Sequence, residues 1–407
     1  MIWSVAWRNV WRNKLRSLVV ILATAIGLFG CLFMVALMNG ITQQKVDDTK
    51  QNEISDMQIH NPKFLEDETI EYSIPEPGKV TAFLNTSEDV QAFCLRTKAT
   101  GMASTAHSGN GVMINGIDPE KEKMVTAIHE KLIEGTYFEN AGRIPSIIIS
   151  YKLAKHLKTG TGKKVVLTTA ALDGETSQAL YRVEGVFRTS NAVFDEMNVF
   201  IQTGQLQNMV DPGNETVSEI AIKYNNGVDI NVAKSVLTSE FPELSVLTWK
   251  ELAPTLMAIV GMMDQFGFVL ILIILLALTF GIINVMLMVI IERTRELGML
   301  MAIGMNRFRV FRMIMLETIF MSVTGAILGV ALSVGTIALA SRKGLNFASW
   351  SEGFESLGYN AHVFPVIETT FYIFLGIMVI IAAMLASIWP ARKALKLHPA
   401  EAVRDES

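Results

Sequence analysis

The chain has 407 residues, half of them hydrophobic, and a formal net charge of −4. Its apolar residues are concentrated in long runs, which excludes an ordinary soluble domain as a description of the whole chain. The small negative charge averages segments of opposite sign and therefore says nothing about nucleic acid, which is not an expected partner of this chain.

Four stretches contain no Asp, Glu, Lys or Arg: residues 17–44, 265–291, 318–341 and 369–391. About 20 helical residues cross a hydrocarbon core of roughly 30 Å, so each stretch is long enough to span a membrane. The pattern predicts an α-helical membrane protein with four transmembrane helices and a large α+β extracytoplasmic domain inserted between helices 1 and 2. The transmembrane helices are predicted at 18–40, 263–291, 317–341 and 369–391.

The distribution of Lys and Arg predicts that both termini are cytoplasmic. Residues 1–16 carry four basic side chains and no acidic one, and residues 292–317 carry five Arg against three Glu. Residues 45–264 instead hold 20 basic and 30 acidic side chains. Because the positive-inside rule applies to short segments beside the spans, the basic segments are assigned to the cytoplasm.

Residues 1–17 are predicted to form an amphipathic helix in the cytoplasmic membrane interface. Trp3, Trp7 and Trp11 recur every four residues, and arginines form a second stripe. Tryptophan rings favour the headgroup level and arginines favour anionic lipid, so membrane lipid is an expected partner. A plain basic flank would explain the arginines but not the tryptophan spacing.

Residues 41–262 are predicted to form the extracytoplasmic (periplasmic) domain, as one domain or two subdomains. Short β-rich runs predict strands, and helical periodicity predicts three helices. The predicted strands are 56–60, 111–116, 164–168, 181–186 and 219–223, and the predicted helices are 87–98, 150–158 and 230–241. The two cysteines, Cys31 and Cys94, fall in the first span and in this domain, so no disulfide is expected.

The third span carries Gly325, Gly329 and Ser333 at four-residue spacing. Small residues on one stripe allow helix backbones to approach closely. The stripe therefore predicts helix packing, either within the four-helix unit or across a dimer. Residues 342–368 are predicted to be an extracytoplasmic loop with at most a short helix, and residues 392–407 a cytoplasmic tail.

Enzymatic motifs are incomplete in this chain. Residues 160–164 end like a phosphate-binding loop, but Lys164 stands where a magnesium-binding hydroxyl is needed and Leu157 where the first glycine is needed. The His-Glu pair at 129–130 begins a zinc-binding string, but Ile133 occupies the second ligand position. We therefore expect no catalytic, metal or cofactor site here, and ATP and Mg only in a partner.

The predicted cytoplasmic segment 292–316 carries the most specific pattern. It reads Glu-Arg-Thr-Arg-Glu-Leu-Gly from position 292 and continues to an Ala-Ile-Gly at 302–304 and a basic stretch. This resembles the FtsX-like (MacB-type) permeases of ABC transporters, whose loop has the form Glu-Arg-x-x-Glu-hydrophobic-Gly, an apolar patch and Ala-hydrophobic-Gly. Residues 7–17 and 389–404 are similar to the entry and exit of the same family.

The resemblance implies a permease subunit whose 292–309 helix docks on a separate cytoplasmic ABC ATPase, in a dimer with a second copy or a related permease. ATP hydrolysis by the partner would move the periplasmic domain as a lever, without carrying substrate through the bilayer. The adaptable side chains of Met299, Met301 and Met305 suit such a contact. The candidate coupling residues are Glu292, Arg293, Arg295, Glu296, Leu297, Gly298, Ala302, Gly304 and Arg307.

The branch of the family is suggested by residues 36–41 and 57–62, which resemble the lipoprotein-releasing permeases of the bacterial inner membrane. Lipoprotein release or related envelope export is therefore the expected function, with a periplasmic carrier as a possible partner. The hairpin 169–182 is shorter than the hook by which one such permease binds its carrier, and it lacks the prolines of that hook. Two alternatives remain: an exporter of drugs, peptides or lipids with an adaptor and outer-membrane channel, and a signalling lever acting on a cell-wall hydrolase.

Overall fold

The computed structural model describes residues 2–12, 14–67, 69–139, 142–347 and 362–395. The helices are α1 (Ile2–Arg12), α2 (Lys14–Thr49), α3 (Phe64–Asp67), α4 (Pro77–Thr86), α5 (Pro119–Val125), α6 (Tyr151–His156), α7 (Ala192–Met197), α8 (Thr203–Val210), α9 (Ile230–Glu240), α10 (Trp249–Leu252), α11 (Pro254–Glu292), α12 (Thr294–Ala302), α13 (Arg307–Lys343) and α14 (Thr369–Leu395). The strands are β1 (Met57–His60), β2 (Val90–Ser104), β3 (Gly109–Ile117), β4 (Leu132–Gly135), β5 (Ser146–Ser150), β6 (Lys164–Ala170), β7 (Thr176–Phe187), β8 (Asn198–Gln202), β9 (Glu219–Tyr224), β10 (Ser245–Thr248), β11 (Leu345–Asn346) and β12 (His362–Val363). A π-helical turn, Lys50–Ile54, follows α2, and a 3₁₀ turn covers Ile128–Lys131.

The chain divides into two compact units. Of the described residues, those within 2–42, 260–347 and 362–395 form the helical unit, and those within 43–259 form the sheet unit. Four helices, found among the described residues, are long and apolar enough to cross a membrane: α2 with its π-turn, α11, α13 and α14.

The membrane-length helices run beyond the apolar stretches from which they were predicted. The first helical segment reaches Ile54 instead of ending at 40, and α11 begins at Pro254 instead of 263. Proline fits the first turn of α11 because its missing N–H would have no partner there. The charged residues therefore mark the ends of the apolar stretches but not the ends of the helices. The helices continue for several residues into segments that belong to the sheet unit.

The sheet unit contains one ten-stranded sheet in the order β10-β1-β9-β2-β3-β8-β5-β7-β4, with β6 paired to β2 and β7. The long strand β2 pairs with β9 along its first half and with β3 and β6 along its second half. Two apolar cores form beside these halves. One contains side chains of β1, β9, α4 and α9, and the other contains side chains of β3, β5, β7 and α8.

The five predicted strands are confirmed as β1, β3, β6, β7 and β9, and the helices predicted at 150–158 and 230–241 are confirmed as α6 and α9. The helix predicted at 87–98 is wrong, because most of this segment lies in β2. The segment also contains residues at helical spacing, namely Val90, Phe93, Cys94 and Thr97. This coincidence made the sequence pattern resemble that of a helix. Pairing with the isoleucine-rich strand β9 decides the conformation, since strand preference depends strongly on tertiary context.

The segment after the third membrane-length helix forms a short antiparallel pair, in which Leu345 of β11 faces Val363 of β12. Much of the predicted loop 342–368 and of the predicted tail 392–407 lies outside the described residues. The described part of the tail continues α14 to Leu395, with Pro390 inside the helix.

Candidate functional site

The predicted coupling residues lie on a helix–turn–helix between α11 and α13. Arg293 interrupts the helix with a φ of −101° and a ψ of 11°, and α12 starts one residue later. The Arg293 N–H still donates to the carbonyls of Val289 and Ile290, which gives these two carbonyls of the last turn of α11 a partner. The break at Arg293 separates α12 from the membrane-length helix before it.

Gly304 ends α12 in a Schellman motif. Its φ is +100°, its N–H donates to the Met301 carbonyl, and the Met305 N–H donates to the Leu300 carbonyl. A glycine adopts this left-handed backbone without the steric cost of a Cβ atom. Asn306 then caps α13 by accepting a hydrogen bond from the Phe308 N–H at 3.1 Å. Gly304 therefore shapes the turn.

Leu297 and Gly298 lie on the buried side of α12. Leu297 is 3% exposed and belongs to an apolar cluster that includes Ile290, Val310 and Met313. Both residues were predicted to contribute to partner coupling. Their burial leaves that prediction untested; it shows that both residues face the interior of the helical unit instead of solvent.

Three exposed apolar side chains occur along α12, its turn and the start of α13, and are called the apolar patch below: Met299, Ile303 and Phe308, which are 51%, 80% and 62% exposed. The Arg312 guanidinium lies 6.0 Å from the centre of the Phe308 ring. Ala302, Arg307 and the neighbouring Arg309 are exposed beside this patch, as are Glu292 and Arg295 on the α12 side. Ile303 and Phe308 were missed by the sequence reasoning, although apolar residues at a turn between two charged segments could have revealed them.

Arg293 and Glu296 belong to an ionic network instead of standing free for a partner. Arg293 donates from Nε to Glu296 Oε2 at 3.0 Å and from Nη1 to Glu317 Oε2 at 3.1 Å. Arg12 Nη2 donates to the same Glu296 oxygen at 2.7 Å. Partial burial alone would raise the pKa of Glu296, but Arg293 and Arg12 together lower it, so this carboxylate is ionised at neutral pH.

The stripe of Gly325, Gly329 and Ser333 is buried against α2. A Cβ atom on Gly325 would lie 2.8 Å from the Ile21 carbonyl oxygen, and one on Gly329 would lie 2.8 Å from that of Ala25. Ser333 donates from Oγ to the Gly329 carbonyl, which satisfies its hydroxyl within its own helix. The sequence left open whether this stripe packs within the four-helix unit or across a dimer. In the structure its glycines pack against α2 of the same chain.

Groups of three or more His, Cys, Asp or Glu side chains arranged to hold a metal ion are not found among the described residues. The glycine-rich residues 160–164 lie in the turn between α6 and β6 and at the start of that strand.

Two family models match most of the chain. Residues 17–240 match the MacB-like periplasmic core domain, and residues 268–399 match the FtsX-like permease C-terminal domain. Together they include α2, nearly all of the sheet unit, α12, α13 and α14.

Curated relatives carry the name macrolide export ATP-binding/permease protein MacB. The protein from Chlorobaculum tepidum is 34% identical over 126 residues, covering 31% of this chain and 17% of the relative. MacB 2 from Yersinia pestis is 24% identical over a 427-position alignment, covering 97% of this chain and 56% of the relative. This chain thus spans about half of the length of the Yersinia protein.

Solved structures with similar regions include the periplasmic region of MacB from Actinobacillus actinomycetemcomitans. That match has a TM-score of 0.36 and 14% identity, and it covers 52% of this chain and 97% of the other. The extracellular domain of the ABC-type transporter YknZ from Gram-positive bacteria gives a TM-score of 0.32 and 18% identity, and covers 47% of this chain and 99% of the other.

Proposed function

Because this chain belongs to the MacB-type, FtsX-like family of ABC transporter permeases, we propose that it is a permease subunit that couples ATP hydrolysis by a separate cytoplasmic ATPase to motion of its extracytoplasmic domain. In this proposal it is a multi-pass inner-membrane protein with both termini in the cytoplasm, and it acts as a dimer with a second copy or a related permease. The basic segments beside the spans support the orientation.

The apolar patch is the observation that supports ATPase docking. Exposed Met299, Ile303 and Phe308 are costly in water, and burial in a partner groove would remove that cost. Exposed arginines at 307, 309 and 312, on the same helix as Phe308, add positive charge beside the patch. An apolar centre with a charged rim is the usual anatomy of a protein–protein interface. The patch suits a groove with acidic residues at its edge.

Within this family, we propose that the chain takes part in export of a small or amphipathic compound, because the MacB relatives are named for macrolide export. Two features had suggested lipoprotein release, and both have packing explanations. Met57–His60 form β1, whose four side chains are all buried. Gly40 approaches the Phe364 backbone so closely that a Cβ atom would collide with its carbonyl oxygen. A periplasmic adaptor or carrier remains an expected further partner in either branch.

Substitution Ile303→Asp tests ATPase docking. A carboxylate at the centre of the patch would have to be desolvated on binding, so we expect retention of the ATPase on the purified permease to fall at least tenfold. The measurement is co-purification of the ATPase from native membranes, normalised to the amount of permease.

Val232→Asp is the matched control, since Val232 is also an exposed aliphatic residue but lies on α9 of the sheet unit. It should retain the ATPase at the parent level. Equal retention by the Ile303→Asp and parent proteins would refute docking at the patch. Mass spectrometry of everything retained by the parent identifies the substrate class.

A further inference from the structure

The N-terminal helix α1 lies against α13 instead of only flanking the first span. Ala6 and Val10 on its inner side are buried. The rings of Trp3 and Trp7 meet the Phe320 ring edge-on, with centroid distances of 5.5 and 5.3 Å. Packing of this kind fixes the helix against the bundle and leaves part of each tryptophan exposed.

Two polar side chains of α1 reach the helix–turn–helix that carries the apolar patch. Asn9 Nδ2 donates to Glu317 Oε1 at 2.6 Å, and Arg12 Nη2 donates to Glu296 Oε2 at 2.7 Å. Asn9 and Arg12 are three positions apart, so they lie side by side on one face of the helix. The two acceptors belong to different helices, α13 and α12, and α1 therefore joins both.

Arg293 closes this network. It pairs with Glu317 through Nη1 and with Glu296 through Nε, so each carboxylate is shared between Arg293 and α1. The Glu317 and Arg293 side chains are largely buried, and a buried charge needs its partners to be in place. Movement of α12 away from α1 would separate Arg12 from Glu296 and strain the remaining contacts. The contacts of α1 therefore connect it both to α12, through the exposed Arg12–Glu296 pair, and to the buried Glu317–Arg293 pair.

We propose that α1 is a positioning element for the coupling site: Arg12, through Glu296, and Asn9, through Glu317 and Arg293, set the orientation in which α12 presents the apolar patch. The relevance of this orientation to ATPase docking rests on the proposed function. The orientation itself is a property of the permease chain. Asn9 and Arg12 lie outside the patch, so they act on docking only through α12.

Distance measurements between spin labels test the orientation. The labels are placed at Met299→Cys on α12 and Leu332→Cys on α13, both exposed positions, in a chain whose Cys31 and Cys94 are replaced by alanine. The full-length protein is studied in phosphatidylethanolamine–phosphatidylglycerol nanodiscs. We expect Asn9→Leu and Arg12→Gln each to broaden the distance distribution, by about twofold in the double variant.

Two control variants distinguish an effect on the orientation of α12 from a general effect of removing a positive charge or of disturbing the fold. Arg8 lies on the same helix and is exposed, and within the described part of the chain its side chain makes no hydrogen bond or ion pair; Arg8→Gln should leave the distribution unchanged. Arg12→Lys keeps a cation near Glu296 and should restore a narrow distribution. Parental widths in the Asn9→Leu, Arg12→Gln double variant would overturn the proposal, and so would equal broadening by Arg8→Gln.

ATPase retention is measured on the same variants without spin labels, and it separates this inference from the proposed function. The double variant should retain the ATPase at least fivefold less than the parent, with Arg8→Gln at the parent level. Full retention by the double variant would overturn the part of the proposal that concerns presentation of the patch. A parent chain that retains no ATPase would refute the proposed function, and the distance distributions would still decide whether α1 sets the direction of α12.

Discussion

At the scale of single residues, the sheet unit contains a buried ionic cluster formed by side chains of β1, β2, β9 and α5. Arg96 lies between Glu122 and Glu219, at 2.7 and 2.5 Å, and His60 lies 3.9 Å from Glu219. Burial alone would raise the pKa of Glu219, but Lys98 and Arg96 lower it to about 2. Burial lowers the pKa of His60 to about 4. His60 is therefore neutral at pH 7.

Acidification should lower the stability of the sheet unit around His60, because His60 is buried in its neutral form. Its folded pKa of about 4 lies below the ordinary value of 6.5, so between these values the unfolded chain binds more protons and stability falls as the pH falls. The Glu219 contribution is lost only at lower pH, between 4.5 and about 2. Between pH 7.5 and 5, we expect transient exposure of the buried Cys94 thiol to increase on the order of tenfold.

Maleimide labelling of Cys94 in a Cys31→Ala chain measures this exposure. The His60→Gln variant is compared with its parent at each pH, which cancels the pH dependence of the thiol chemistry. Glutamine cannot titrate, so the ratio of parent to variant labelling should rise as the pH falls. A constant ratio would show that protonation of His60 does not control the transient exposure of Cys94.

Residue-scale roles in the coupling segment depend on which side of α12 a side chain occupies. The sequence pattern selected Leu297, Gly298 and Gly304 together with charged neighbours, and the structure gives the first two to the core and the third to the turn. Exposed Ile303 and Phe308 carry the surface that a partner can touch. A sequence motif therefore identifies a segment, whereas the burial of each side chain indicates whether it packs inside the protein or is available to a partner.

At the scale of elements, the crossing of α2 and α13 depends on the glycine stripe. A side chain on Gly329 would meet the Ala25 backbone and the Leu28 side chain within 3.2 Å. Both helices are long, so local displacement at this point cannot be relieved without moving one of them. The close approach increases contact between helices in a lipid environment, where packing is a principal source of helix association.

Gly329→Val should destabilise the helical unit by about 1–3 kcal/mol, because it overpacks this crossing. Gly335→Val is the matched control: it lies on the same helix, and a Cβ atom there would have open space. Thermal unfolding in detergent, followed by the loss of monodisperse protein, measures the difference. Equal midpoints for the two variants would contradict close packing of α2 on Gly329.

At the scale of the whole molecule, the helical unit exposes apolar side chains that belong in lipid, and the sheet unit contains the acidic part of the chain. Phe266, Phe268, Phe280 and Ile373 are more than half exposed on α11 and α14. In water these surfaces would favour aggregation, whereas a hydrocarbon core solvates them. The bilayer is therefore part of the environment that this fold requires.

The proposed orientation places residue 303 in the cytoplasm and residue 232 outside it. Single cysteines at these exposed positions, in a Cys31→Ala, Cys94→Ala chain, can be labelled with a membrane-impermeant maleimide. In intact spheroplasts we expect labelling of Val232→Cys and not of Ile303→Cys. Disrupted membranes should label both, and the reverse pattern in spheroplasts would invert the orientation and remove the basis for ATPase docking.

The sequence by itself determined the four membrane-length helices, the family and five of the strands. These features depend on local composition and on short periodic patterns, because a bilayer selects for apolar length and a strand alternates its faces. It also located the segment 292–316, whose pattern of charges and glycines is local.

Only the tertiary structure decided that β2 is a strand, that the glycine stripe packs on α2, and that Arg293 is held by Glu317 and Glu296. Each of these depends at least in part on residues distant in the chain: β9 for β2, Ala25 for Gly329, and Glu317 for Arg293. Hydrogen bonds and close packing between distant segments have no signature in a local pattern, because their free energy arises only when folding brings both partners together.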